Sequence, residues 1–80
     1  MARRRTNTHA QMKRRLPFVV VIEREEPFRA ADRNEIEAEC RRITNGADFL
    51  LTMARFGRVY WHTVHFAARH QADAFNTWSV

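Results

Sequence analysis

The longest uninterrupted apolar run in this chain is Phe18-Val19-Val20-Val21-Ile22. It has strand length, is rich in β-branched residues, and falls far short of a membrane span. Pro17 suits the start of a strand or an edge position, and Glu25-Glu26-Pro27 breaks the pattern. The run predicts a first strand over Pro17–Arg24. Any fold adopted by this chain must cover that strand.

Two later segments supply its partners. Asp48 to Arg55 and Arg58 to Phe66 flank Phe56-Gly57, and the second is dense in aromatic and β-branched residues. Together they predict a β-hairpin over 48–66. Gly57 is the natural left-handed residue. A two-residue type I′ turn and a type I turn with a Gly57 bulge both remain open, and they differ by one residue in register.

Helices separate and close these strands. Asp32 with Glu35 three residues later reads as an N-cap and capping box. Ile36, Cys40 and Ile43 follow on one face, and Asn45-Gly46 stops the helix, giving Arg33–Thr44. A second helix over Ala67–Trp78 places Ala68, Ala72, Phe75 and Trp78 on one side.

The order strand, helix, strand, strand, helix, with a right-handed crossover, leaves room for the third strand between the first two. The expected fold is α+β: a small ferredoxin-like β-α-β-β-α sandwich. It has a three-stranded antiparallel sheet in the order 1-3-2 and two helices on one face. The strand that usually completes this plan beside the first strand is missing, so the first strand becomes an edge.

Two short helices cover one sheet face only. Phe18, Val20, Ile22, Phe49, Leu51, Met53, Val64 and Phe66 are assigned to the covered side. Ile36, Cys40, Ile43, Ala72, Phe75 and Trp78 pack opposite them. Val19, Val21, Val59, Trp61 and Thr63 are left on the open side, a patch expected to serve as an interface. The alternative is that the N-terminal arm or a loop covers it.

Charge divides the chain in two. Residues 1–15 contain Arg3, Arg4, Arg5, Lys13, Arg14 and Arg15 and no acid. Residues 16–80 hold eight basic and nine acidic residues, so the excess positive charge belongs to the first segment. The expected organisation is a basic, disordered arm over 1–15 and one domain over 16–80. Such an arm suits phosphate contact, and Arg3, Arg4, Arg5, Lys13, Arg14, Arg15 and Trp61 are the candidate nucleic-acid-binding residues. A role in solubility, or contact with an anionic membrane or an acidic protein, fits the same charges.

Arg58-Val59-Tyr60-Trp61-His62-Thr63-Val64-His65-Phe66, followed by Ala72-Asp73-Ala74-Phe75, resembles the third strand and second helix of an RNA-recognition-motif domain. The resemblance covers about 20 residues. It implies that Trp61 stacks on a base from the open sheet face. Thr63 stands at the second stacking position, and the glycine and basic residue that open the motif are absent.

Signals for chemistry are few. His62 and His65 point to opposite faces of a strand, and no spacing suits a structural zinc site. His62 reads as a packed or rim histidine, and His65 as a solvated strand end. Asp48 and His65 face each other across the hairpin in one register, most simply as an exposed charge pair. Cys40 is a single core thiol, and no Gly-rich phosphate loop is present. Neither a catalytic site, a metal, a cofactor nor a small-molecule substrate is expected. One cysteine and no exported leader suit a cytoplasmic protein. The sequence therefore points to a non-catalytic nucleic-acid binder. The alternative is a protein–protein adaptor, inhibitor or homodimeric regulator that uses the open face and the first-strand edge.

Overall fold

A computed structural model of the chain describes residues 13–79. Strand β1 (Phe18–Glu25) leads to helix α1 (Ala30–Thr44), the hairpin β2 (Phe49–Phe56) and β3 (Val59–Phe66), and helix α2 (Arg69–Ser79). The sheet is antiparallel with the order β1-β3-β2. The expected ferredoxin-like α+β arrangement is the observed one.

Local chemistry shifts several boundaries. Helix α1 starts a turn earlier than the Asp32 cap implied, with Arg29 in extended conformation at its N-cap. Ala30 and Ala31 are strong helix formers, so the helix extends back through them. Asp32 then lies inside the first turn, where its carboxylate accepts the Arg29 backbone N–H at 2.8 Å. Asn45 at φ 54° and Gly46 at φ 84° end the helix in the left-handed region. Helix α2 begins after Ala68, whose N–H is accepted by the Gln71 side chain at 3.1 Å.

The hairpin turn is Gly57-Arg58, since Phe56 pairs with Val59. Gly57 alone takes positive φ there, at 62°, which is the pattern of a type II′ turn and neither of the two expected. This register sets Leu50 opposite His65. Asp48 instead meets Arg15 at 3.4 Å, so the Asp48–His65 pair that one register allowed does not form.

The core lies between the helices and one sheet face. Ile22, Val64 and Phe66 pack with Ile36 and Cys40 of α1 and with Ala72 and Phe75 of α2. Phe75 meets the rings of Phe66 and Trp78 at 5.6 and 5.5 Å. The covered face is therefore the expected one, with one exception. Met53 is on that side but is exposed, because β2 from Met53 to Phe56 runs past the helices.

Candidate interface on the open sheet face

Register fixes what the uncovered face presents. In antiparallel sheets, directly paired residues share a face. Rows therefore cross the sheet as Val19–His65–Leu50, Val21–Thr63–Thr52, Glu23–Trp61–Ala54 and Glu25–Val59–Phe56. All five residues expected in the interface, Val19, Val21, Val59, Trp61 and Thr63, share this face. Val19 and Val21 are 49% and 54% exposed, and Phe56 is 69% exposed. Trp61, Val59 and Thr63 are half-buried. Trp61 is thus neither sealed inside nor standing free on the surface.

The two ends of the face differ. At the His65 end, Leu16 and Leu50 are buried although both lie outside the main core cluster. Leu16 stands beside the His65 imidazole and closes that end. Residues 13–15, assigned to the arm from sequence, are helical. Lys13, Arg14 and Arg15 are exposed there, while Arg3, Arg4 and Arg5 lie outside the described residues. At the far end stand Glu23 and Glu25. Among the strand residues of this face there is no Lys or Arg. The arginines of the strands themselves, Arg24 and Arg55, lie on the other side, both opposite Tyr60. Arg55 sits over the Tyr60 ring at 5.4 Å and bonds Glu26 at 3.0 Å.

The face thus offers an aromatic and aliphatic centre with two carboxylates on one rim. An indole between Glu23 and Ala54 makes apolar contact readily, but the carboxylates oppose a phosphate approaching along β1. Sequence reasoning missed Glu23 and Glu25 as parts of the site. The strand alternation carried that signal, because both have the same parity as Val19 and Val21.

The opposite face holds a buried polar group. His62 is fully buried, with neither ring nitrogen hydrogen bonded. Its ring packs on Phe28 at 4.7 Å, and Phe28 also meets Tyr60 at 5.0 Å. Phe28 follows a proline in a loop and gave no periodic signal. His65 is half-buried with Nδ1 enclosed and unpaired, so it is not the expected solvated strand end.

Burial, then the charges of Arg24 and Arg33, hold the His62 imidazole below its ordinary 6.5. Burial and then Lys13 do the same for His65, with the Leu16 backbone opposing. A lowered folded pKa means that the unfolded chain takes up the proton first as pH falls. Stability is therefore full above about pH 6.5 and is lost as pH falls through that value towards the folded pKa values. Thermal unfolding followed by circular dichroism between about pH 8 and pH 5 should show a Tm that is flat at the upper end and falls below neutrality. His62→Leu should remove most of that slope. At neutral pH it should change stability by no more than about 1 kcal/mol, because it removes two unpartnered nitrogens along with ring packing. A slope unchanged by His62→Leu would assign the acid sensitivity elsewhere.

Cys40 is buried, and burial, followed by Glu39 and Glu37, pushes its thiol up to about 12. Such a thiol is protonated and inert at neutral pH. Among the described residues, no group of three or more His, Cys, Asp or Glu is placed to hold a metal ion. Among them too, no helix is long and apolar enough to cross a membrane. Compared with protein-family models, curated proteins and solved structures, the chain has no significant match in any of the three.

Proposed function

We propose that this protein is a small, non-catalytic nucleic-acid-binding protein that holds phosphates through its basic N-terminal segment. The observation that carries this reading is the charge division: six basic residues and no acid in residues 1–15, against a nearly balanced remainder. Lys13, Arg14 and Arg15 are exposed; Lys13 lies close enough to His65 to act on its charge, and Arg15 pairs with Asp48 at 3.4 Å. Lys and Arg contacts to phosphate supply affinity without base specificity. Trp61, half-buried on the central strand, supplies a stacking surface for an unpaired base at most.

The carboxylates of Glu23 and Glu25 favour a second reading for the face itself. A patch of Val21, Trp61, Val59 and Phe56, with acids at its rim and no Lys or Arg among the strand residues of that face, has the make-up of a protein interface. In that reading the protein is an adaptor or regulator, with the face as its docking surface.

The experiment is fluorescence anisotropy with labelled single-stranded RNA and DNA at low salt. Replacing Arg3, Arg4, Arg5, Lys13, Arg14 and Arg15 by Gln in the full chain should abolish most of the affinity. Trp61→Ala should weaken single-strand binding by less. If the native chain shows no binding at low salt, or the sixfold variant binds as well as the native chain, the nucleic-acid reading fails. A protein docking role for the face then becomes the better account.

A further inference from the structure

We infer that β1 pairs with β1 of a second copy of this chain across a two-fold axis normal to the sheet, making one six-stranded sheet. This goes beyond the nucleic-acid reading, because it uses none of residues 1–15.

Among the described residues β1 pairs only with β3. The Glu26 N–H donates to the Arg58 carbonyl at 3.0 Å. Bonded and non-bonded pairs alternate along an antiparallel ladder. Phe18, Val20, Ile22 and Arg24 therefore bond towards β3, and Val19, Val21, Glu23 and Glu25 direct their N–H and C=O groups outward. An edge this apolar and this long is seldom left bare.

The register of self-pairing follows from the residues. A continuous sheet with all helices on one side requires outward residues to face outward residues. Centring the pair on Val21 would set Pro17, which has no N–H, opposite Glu25 and lose bonds. Centring it on Glu23 would stack two carboxylates. Centring it on Ile22 sets Val21 opposite Glu23 and Val19 opposite Glu25. That uses every outward group of β1 in about eight backbone hydrogen bonds.

The same register places charge correctly. A groove of about 450 Å³ runs between the β1 edge and α2, lined by Phe18, Val20, Arg69, Ala72, Asp73 and Asn76 among others. Centred on Ile22, Arg24 of the second copy comes opposite Val20 on the helix side, next to Asp73. Among the described residues neither Arg24 nor Asp73 has an ion-pair partner. The two-fold axis makes two such pairs.

Helix packing agrees. Helix α2 rests on both β1 and β3. With strands about 4.8 Å apart, the two α2 helices would lie about 10 Å from each other, at ordinary helix contact distance. The second copy thereby fills the groove that each chain leaves open.

Sedimentation equilibrium on the full chain, without nucleic acid, tests the inference. The native protein should weigh twice the 9.5 kDa chain. Val21→Pro removes an outward N–H and leaves the β1–β3 ladder intact, so it should give a folded monomer. Arg24→Asp and Asp73→Arg should each weaken the dimer at least tenfold, and the double exchange should restore it. Trp61→Ala should leave the mass unchanged. A native monomer up to millimolar concentration overturns the inference, as does a dimer that survives Val21→Pro. If Val21→Pro unfolds, the charge exchange decides: failure of the double variant to restore the dimer overturns the register.

Discussion

Phe75→Ala is expected to lower the unfolding free energy by about 3–5 kcal/mol, the range for truncating a fully buried phenylalanine. Phe75 has no solvent exposure and holds together three parts of the core: the sheet through Phe66, its own helix through Trp78, and α1 through the shared cluster with Ile36 and Cys40. A domain of this size has little stability in reserve, because a short chain buries a small fraction of its surface. Two short helices cannot close over the lost ring without leaving a cavity. Urea denaturation should show a midpoint moved far down, or no folded baseline at all. A loss below about 1 kcal/mol would mean that α2 is not the helix holding this face.

The same cluster shows why much of the fold was legible in the sequence. Ile36 and Cys40 repeat at helical spacing, Ala72 and Phe75 do likewise, and β-branched residues crowd the strands. Binary pattern and propensity therefore agreed on element type. The 1-3-2 order followed from crossover handedness, a rule of chain geometry that needs no side-chain detail. The misses came from features settled by single contacts. The Gly57-Arg58 turn depends on which residue beside a glycine keeps negative φ. That choice decided whether His65 met Asp48 or Leu50. Leu16 lies between a basic run and a proline, and nothing local indicates that it closes one end of the sheet. His62 alternates with Val64 and Phe66 on the core side, so its position was readable. Its lack of any partner was not, because that depends on Phe28 arriving from a loop.

The open face was legible to the same degree. Alternation placed Val19, Val21, Trp61 and Thr63 together, and the register added the Glu23–Trp61 row. That row bears on the choice between nucleic acid and protein, and its consequence can be measured. If all six basic residues of segment 1–15 engage phosphates, the logarithm of affinity should fall with the logarithm of salt at a slope of roughly −4 on a single strand and −5 on duplex DNA. Between 50 and 200 mM salt that is a loss of roughly 300-fold and roughly 2,000-fold. Each single replacement of an engaged arginine by Gln should lower the slope by about one without changing sequence preference. Replacing Glu23 and Glu25 by Gln separates the two surfaces. If the ligand also lies across the face, removing two carboxylates beside Trp61 should tighten binding and steepen the slope. If the basic segment binds alone, both quantities should stay where they are, and the face is left for a protein. A native slope near zero would place any observed binding on stacking or hydrogen bonds, and the charge division in the chain would then have no part in it.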